Sequence, residues 1–234
     1  MLTGAGMSAE SGIPTFRGTH DSLWSRFDPT QLATAEAWRE DPALVWGWYR
    51  WRMQRVRDAQ PNAGHRALAG LARRVPLSLV TQNVDDLHER AGSHEVVHLH
   101  GSLFASRCLD CGTAVVPDPI LAGLDALDAG AREAPPACAA CGGPFRPGVV
   151  WFGEALPEAA WQQAQASLEA CDLLVVVGTS GLVQPAASLP ALAQARGVRV
   201  IEINPVDSGV SALAQERLRM PAGAGVQVLL DRFG

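Results

Sequence analysis

Short apolar runs alternate with amphipathic stretches along most of the chain. Runs of four to six apolar residues predict buried strands at residues 77–80, 96–99, 173–177, 198–203 and 226–230. Helical periodicity between them predicts helices at residues 62–74, 158–170 and 185–196. This alternation is typical of a parallel sheet that is covered on both faces. We therefore predict an α/β fold with a Rossmann-like parallel sheet and helices on both of its faces.

Two segments interrupt the alternation. Residues 20–61 are rich in Trp and helical in pattern, and residues 101–150 contain four cysteines with many Gly, Pro and Ala. We interpret both as insertions that form a smaller helical and metal-binding lobe within a single-domain chain. The Rossmann-like core then comprises residues 1–19, 62–100 and 151–234. Because only three residues precede the glycine-rich turn at Gly4, we expect that the first strand is truncated or that translation begins upstream of Met1.

Composition and charge narrow the class of protein. The chain has 234 residues and a formal net charge of −5, with 47% hydrophobic and 18% charged residues, which suits a folded globular chain. A mildly acidic chain lacks the basic face that sequence-independent binding to nucleic acid requires. No apolar run approaches the length of a membrane span, and no leader-like segment is visible. We expect a cytoplasmic protein, with a monomer favoured and with no direct nucleic-acid or membrane partner.

The cysteines predict a metal site. Two CxxC pairs indicate a tetrahedral thiolate zinc site, because four thiolates at this spacing complete the coordination of zinc. Such a site has no open position for water, so we predict one structural Zn²⁺, with a rubredoxin-like iron site as the alternative. The fifth cysteine, Cys171, is most simply a small buried apolar residue. The four predicted ligands are Cys108, Cys111, Cys138 and Cys141.

Polar residues follow the predicted strands, where ligands bind in parallel α/β sheets. His100 follows the run at 96–99, and an imidazole at a strand end suits proton transfer. Two alternatives stay open here: the Asn and Asp residues could cap the next helix, and His98, on the same strand face, rivals His100. The remaining candidates at strand ends are Gln82, Asn83, Asp85, Gly178, Thr179, Ser180 and Asn204.

The glycine-rich turn near the start of the chain predicts a nucleotide site. Its GxGxxA pattern would allow a pyrophosphate to approach a helix N-terminus. The acidic residue expected about 20 positions later in a hydride-transfer dehydrogenase is absent. A Gly- and Pro-containing loop follows instead, and such a loop can fold over a ligand. The candidate residues of the turn and loop are Gly4, Ala5, Gly6, Ser8, Ala9, Thr15, Phe16 and Arg17.

Seven motifs occur in the order found in sirtuins, the NAD-dependent protein lysine deacylases. They are GAGMSAESGIPTFRG, TQNVDDLHERAG, HLHG, the paired CxxC, VVWFGE, GTSGLVQPAA and EINP, spanning residues 3 to about 205. The resemblance implies that NAD is consumed as a co-substrate. It also implies that the acyl-lysine carbonyl oxygen attacks the ribose as nicotinamide leaves, giving O-acyl-ADP-ribose and free lysine.

The same resemblance implies roles for individual residues. His100 matches the catalytic base, and Asn83 and Asp85 match the residues that position nicotinamide. Phe16 and Arg17 resemble the aromatic shield and the ribose-phosphate contact of the flexible cofactor loop, and Ala222 resembles a backbone contact on the adenine side. The segment Val150, Trp151, Phe152, Gly153 and Glu154 resembles the strand that pairs with an extended acyl-lysine peptide.

A helical pattern at residues 44–57 bears on the choice of acyl group. It places Arg52 on the same face as Tyr49 and Val56. From periodicity alone, Arg52 could pair with Glu36 or Asp41, or lie in solvent. Sirtuins that prefer succinyl, malonyl or glutaryl lysine carry Tyr-x-x-Arg here with a small Ala upstream, and Tyr49, Arg52 and Ala33 match that arrangement.

The resemblance therefore implies an acidic-acyl deacylase in which deacetylation is weaker or parallel. Three rival functions stay open. They are a plain NAD-dependent deacetylase, a protein ADP-ribosyltransferase that uses the same nicotinamide cleavage, and an NAD or ADP-ribose sensor without turnover.

Overall fold

A six-stranded parallel sheet forms the centre of the computed structural model, which describes residues 1–15, 29–114, 127–128 and 130–233. Its strands are β1 (Leu2–Thr3), β2 (Val80–Thr81), β3 (Val97–His98), β6 (Leu173–Val177), β7 (Arg199–Ile203) and β8 (Glu216–Leu218). Their order across the sheet is β3-β2-β1-β6-β7-β8, and every neighbouring pair is parallel. A separate antiparallel pair is formed by β4 (Arg107–Cys108) and β5 (Phe145–Arg146). The predicted α/β parallel sheet is confirmed.

Helices cover the sheet on both faces and also form most of residues 29–58. They are α1 (Pro29–Leu32), α2 (Ala35–Glu40), α3 (Pro42–Asp58), α4 (Ala63–Leu71), α5 (Leu87–Arg90), α6 (Glu158–Ala170), α7 (Leu189–Ala195) and α8 (Ala222–Phe233). No helix among the described residues is both long enough and apolar enough to cross a membrane.

The alternation of side chains along β6 explains the two covered faces. Val176 packs in a cluster with Leu168 of α6 and Leu189 of α7. Its neighbour Val175 packs on the opposite face, in a cluster with Leu68 of α4. Because successive side chains of a strand point to opposite faces, an unbroken run of apolar residues is what a strand buried on both sides requires.

A separate apolar cluster joins the two sequence insertions. Trp46 and Trp48 of α3 pack with Phe145 of β5, and all three side chains are buried. Ion pairs add to this contact: Arg50 Nη1 lies 3.1 Å from Glu133 Oε1, and Arg132 Nε donates to Asp41 Oδ2 over 2.9 Å. The described parts of residues 20–61 and 101–150 therefore share one core.

One predicted strand is wrong. Residues 226–230 lie within α8, where Val226 and Leu229 are buried while Gln227 is exposed. This spacing of three is helical, and a run of five mostly apolar residues does not distinguish a strand from one buried face of a helix. The last strand is instead β8, a short edge strand of mixed polarity without an apolar run to reveal it.

Candidate functional site

Thr179 connects the carboxyl ends of three parallel strands. Its hydroxyl accepts a hydrogen bond from Gln82 Nε2, which follows β2, over 3.0 Å. Its backbone carbonyl accepts one from Asn204 Nδ2, which follows β7, over 2.9 Å. Next to it, the Ser180 carbonyl accepts from the Gly209 amide over 2.9 Å, and the Ser180 side chain is half-buried. The structure thus brings these sequence candidates together at the sheet edge where α/β proteins bind ligands.

The glycine-rich turn packs directly on the turn after β6. Gly6 N donates to Gly178 O over 2.8 Å, and a Cβ added to Gly6 would lie 2.7 Å from Gly178 Cα. Gly178 also has a left-handed φ of 62°. The two glycines are therefore required by this backbone contact, whatever ligand binds above it.

The expected helix N-terminus does not follow this turn. Residues Ala5–Met7 and Ala9–Ser11 instead form two short 3₁₀ turns. The second turn ends at residue 12, which adopts a left-handed conformation. Gly4 is buried, Ala5 and Thr15 are half-buried, and Ala9 is exposed. Phe16 and Arg17 lie outside the described residues.

His100 is held in one tautomer by the chain itself. Its Nδ1 lies 3.0 Å from the backbone carbonyl oxygen of Gln82, which can only accept, so Nδ1 carries a proton. The other nitrogen, Nε2, then presents a lone pair. Burial lowers the pKa of His100, and the Gln82 carbonyl raises it in part. A neutral imidazole with a free Nε2 lone pair is the form that a general base requires.

Ser8 fixes the two candidate nicotinamide-binding side chains. Its hydroxyl donates to Asp85 Oδ2 over 2.9 Å and accepts from Asn83 Nδ2 over 3.1 Å. Burial raises the pKa of Asp85, while the Ser8 hydroxyl and the Leu87 amide act in the opposite direction. Asp85 Oδ1 also accepts from Leu87 N, the first residue of α5, over 3.2 Å, although the cap position of that helix is Asp86, whose side chain makes no capping hydrogen bond. The two buried side chains present fixed amide and carboxylate groups suited to a carboxamide.

Two buried histidines near Ser8, His65 and His88, were not identified by the sequence analysis. Burial lowers the pKa of His65 to about 4 and that of His88 to about 3. His65 Nε2 lies 3.5 Å from Ser8 Oγ, and the two imidazole rings are 4.8 Å apart at their centroids. His65 also completes a capping box with Asn62 at the start of α4, a spacing visible in the sequence. No local sequence pattern around His88 predicts that it is buried.

The four predicted metal ligands converge. Their Sγ atoms all lie within 4.8 Å of one another, with Cys108 to Cys141 at 3.5 Å and Cys111 to Cys138 at 3.7 Å. A tetrahedral zinc site with Zn–S bonds of about 2.3 Å has S–S edges of about 3.8 Å, so the thiolates fit Zn²⁺. Each CxxC pair closes the same turn, with Gly112 N bonded to Cys108 O and Gly142 N to Cys138 O. The structural zinc prediction is supported, and Cys171, which is half-buried, is not part of the cluster.

The candidate substrate segment is held by backbone hydrogen bonds at two places. Val150 N donates to His100 O over 2.9 Å, and Phe152 N donates to Ala33 O over 2.8 Å. The Trp151 side chain is buried in the small-lobe core, whereas that of Phe152 is 45% exposed. The backbone of this segment therefore links the catalytic-base candidate to α1 and α2, and one apolar side chain faces outward next to it.

The carboxylate of Glu154 accepts hydrogen bonds from other groups of the protein. Arg146, 4% exposed, donates Nη1 to Glu154 Oε1 over 2.6 Å and Nη2 to Glu154 Oε2 over 3.0 Å. Trp151 N donates to Glu154 Oε2 over 2.8 Å, and the Arg146 guanidinium lies 3.5 Å from the centroid of the Trp151 ring. Both oxygens of this sequence-predicted substrate residue are thus occupied in holding the segment, and Arg146 is a partner that sequence reasoning missed.

Tyr49 and Arg52 lie side by side on α3. The Arg52 guanidinium is 5.4 Å from the centroid of the Tyr49 ring and 4.8 Å from that of Trp48. Burial lowers the pKa of Arg52, and the nearby Tyr49 and Asp85 raise it in part. Burial also raises the pKa of Tyr49 to about 12. Asp41, one of the alternative partners, instead binds Arg132 and caps α3 through Leu44 N.

A small cavity connects Arg52 with the nicotinamide-side candidates. Arg52 and Asp85 both line it, so these two residues border the same space. Tyr49 and Ala33 are buried and do not line this cavity. The other lining residues are Ile13, Pro14, Trp51, Arg55, Val56, Val84 and Leu103.

Comparison with known proteins gives consistent matches over this chain. A model of the Sir2 family matches residues 4–185. The chain is 54% identical to NAD-dependent protein deacylase 1 of Pseudomonas aeruginosa, over 99% of this chain and 92% of that one. Its fold is similar to that of a Sir2 homolog–NAD complex, with a TM-score of 0.89, 48% identity, and coverage of 99% of this chain and 87% of the other. It is also similar to a Sir2–p53 peptide–NAD⁺ complex, with a TM-score of 0.81, 28% identity, and coverage of 99% and 91%.

Proposed function

Since the chain belongs to the Sir2 family and is an NAD-dependent protein deacylase, we propose that it removes succinyl, malonyl and glutaryl groups, as well as acetyl groups, from lysine side chains. The products are nicotinamide, O-acyl-ADP-ribose and free lysine. One observation carries the acidic-acyl preference: the half-buried Arg52 guanidinium lies beside Tyr49 and lines a cavity that reaches Asp85.

The arrangement of the candidate site supports the reaction part of this proposal. NAD supplies a ribose–nicotinamide bond that breaks and a ribose hydroxyl that takes the acyl group. Asn83 and Asp85, fixed by Ser8, hold the carboxamide of the departing nicotinamide. His100 Nε2 then accepts a proton from the ribose hydroxyl, because its Nδ1 proton is already committed to Gln82 O. Thr179 and Asn204 offer hydroxyl and amide groups on the adenosine side.

The substrate peptide is proposed to lie along residues 150–153. Similar family structures include a complex with a p53 peptide, which makes an acyl-lysine peptide the expected partner. An extended peptide pairs through its own backbone, so it can bind with many flanking sequences. Phe152 then packs against the aliphatic part of the lysine or its neighbours, since it is the exposed apolar side chain of this segment.

Charge at the cavity determines the acyl preference. A carboxylate-ended acyl group would accept hydrogen bonds from the Arg52 guanidinium, and such a charge-assisted contact contributes about 1.5–3 kcal/mol, or about ten- to a hundred-fold in preference. A methyl-ended acetyl group gains nothing from the same contact. Asp85 offsets part of the positive field of Arg52, so neutral acyl groups are also tolerated.

The test compares two substrates and two matched variants. Peptides of one sequence that carry acetyl- or succinyl-lysine are incubated with NAD, and the products are identified by mass spectrometry. Arg52→Met should reduce desuccinylation about ten- to a hundred-fold and leave deacetylation nearly unchanged. Arg57→Met removes the same charge from an exposed position of α3 and should change neither rate. Tyr49→Phe should act like Arg52→Met, with a smaller effect.

Parallel losses on both peptides in Arg52→Met would overturn the acidic-acyl preference and leave a plain deacetylase. ADP-ribose found attached to protein, without O-acyl-ADP-ribose, would indicate an ADP-ribosyltransferase instead.

The setting of the enzyme is part of the same proposal. We propose that it acts as a monomer in the cytoplasm, where a reducing environment keeps zinc thiolates intact, with no direct nucleic-acid or membrane partner. The formal net charge of −5 supports the absence of nucleic-acid binding. Light scattering of the purified protein measures its oligomeric state, and a mass of two or more chains would contradict the monomer.

A further inference from the structure

Both ring nitrogens of His98 are engaged. Nδ1 lies 3.0 Å from the backbone carbonyl oxygen of Asn83, and Nε2 lies 2.7 Å from Glu89 Oε1 on α5. A backbone carbonyl and an ionised carboxylate only accept hydrogen bonds. Both nitrogens must therefore donate, and only the protonated imidazolium can do so. His98 has no lone pair to offer to a substrate, which favours His100, two residues further along the chain, as the base.

His98 and His100 hold consecutive residues of the same loop. His98 binds the carbonyl of Asn83, and His100 binds the carbonyl of Gln82. The two contacts tie the loop after β2 to β3 and to the turn that follows β3, at the point where the Asn83 side chain binds Ser8. Glu89 ties the same imidazolium to α5, so one charged ring joins three segments of the chain.

We propose that His98, kept protonated by Glu89, is a positioning residue that fixes the backbone of Asn83 and so orients the amide that holds nicotinamide. This inference rests on the proposed role of Asn83 in binding the carboxamide. It adds the charged pair His98–Glu89 to the groups that determine how well the leaving group is held.

The surroundings of the ring are consistent with a stable positive charge. The titratable groups that act on it are Glu89 and His88 of α5 and Asp85 of the loop after β2. Burial lowers the pKa of His98, but the Glu89 and Asn83 contacts outweigh it, so the pKa is raised. The buried His88 stays neutral near pH 7, since its pKa is about 3. On α6, which packs against β3, the charged residues Glu158 and Glu169 are both exposed.

The first test is a spectroscopic measurement of protonation. In protein labelled with ¹⁵N-histidine, the His98 ring signals are assigned by their loss in His98→Phe. We expect the titration midpoint to lie above the ordinary 6.5, so that both ring nitrogens carry protons in most molecules at pH 6.5. Glu89→Gln should lower this midpoint, because a neutral amide no longer stabilises the imidazolium. Glu169→Gln, an equal charge change at an exposed site of α6, should leave it in place.

The second test separates positioning from a general loss of structure. His98→Phe should weaken inhibition by nicotinamide about ten-fold, the loss expected for one charge-assisted hydrogen bond. Its affinity for ADP-ribose, which lacks nicotinamide, should stay within about two-fold of wild type. A merely structural role would weaken both ligands together.

Two results would overturn the proposal. One is a His98 that is mostly neutral at pH 6.5, and the other is equal weakening of nicotinamide and ADP-ribose in His98→Phe. Deacylation of an acetyl-lysine peptide by the wild-type chain is measured alongside. Absence of that activity would count against the proposed function, whereas intact activity with either overturning result would count only against the role of His98.

Discussion

His100 Nδ1 lies 3.0 Å from the carbonyl oxygen of Gln82, and this contact leaves Nε2 as the only basic atom of the ring. Burial lowers the pKa of His100 from its ordinary 6.5, so the neutral form predominates at pH 7. Because the base must be neutral, kcat/KM for deacetylation should fall as the pH drops through a value below 6.5. The measurement is a rate profile from about pH 4.5 to 8.

His100→Ala should abolish O-acyl-ADP-ribose formation while NAD still binds. In the pH–rate profile, a fall of kcat/KM centred above pH 6.5 would contradict the assignment of neutral His100 as the base.

Removal of zinc should unfold the small lobe before the sheet. Five of the seven tryptophans lie in the core that also contains Cys108 and Cys138. Chelation or Cys138→Ser should therefore shift the tryptophan emission to longer wavelength and eliminate activity, because the metal supplies folding free energy to such sites. Far-ultraviolet circular dichroism should keep the signal of the helices around the sheet.

Cys171→Ser is the matched control, since Cys171 is outside the ligand cluster. A chelated protein with unchanged tryptophan emission would show that the small-lobe core is stable without metal.

Loss of the Glu154 carboxylate should destabilise the whole chain. Arg146 has a side chain that is 5% exposed, so Glu154→Gln leaves a buried guanidinium without its counter-charge. Breaking a buried pair from one side costs about 3–5 kcal/mol, and the lower end applies here because Glu154 is partly exposed. Urea unfolding measures the change. Arg199→Gln, which breaks the exposed pair with Glu216, should cost less than about 1 kcal/mol.

Alanine should have opposite effects at two glycines. In Gly178→Ala the new Cβ would lie 2.6 Å from the backbone of Gly6, and the left-handed φ adds about 1–2 kcal/mol of strain, so unfolding and loss of NAD binding are expected. Gly70 lies inside α4, and a Cβ added there would be 4.0 Å from the nearest atom, a methyl carbon of Leu230. In Gly70→Ala the free energy of unfolding should therefore rise by about 0.5–1 kcal/mol. Thermal unfolding distinguishes the two, and a stable Gly178→Ala would contradict the tight contact.

The elements that could be predicted from sequence are those whose pattern is local. Residues 158–170 have a clear helical period and match α6 in both bounds. Residues 173–177 form an unbroken apolar run and match β6. The strand at 226–230 was wrong because its short run fits a helix face equally well, and β8 was missed because an edge strand needs no apolar run.

The residues of the candidate site also fall into those that a local pattern predicts and those that it does not. Gln82, His100, Thr179 and Asn204 follow strands, so the sheet topology alone brings them to one edge. Partners such as His65 for Ser8, 57 residues apart, or Arg146 for Glu154, eight residues apart across an irregular segment, depend on how the backbone folds between them. Period and spacing carry no information about such pairs.

The pairing of β1 has a consequence for the order of folding. Leu2 pairs with Val80 on one side and with Val176 on the other, so one of the two central strands of the sheet pairs with strands from distant parts of the chain. During synthesis, the pairing of β1 with β6 can form only after most of the protein has left the ribosome. Long-range closure of this kind slows folding, and a nascent chain would expose the unpaired edge of β1 in the meantime.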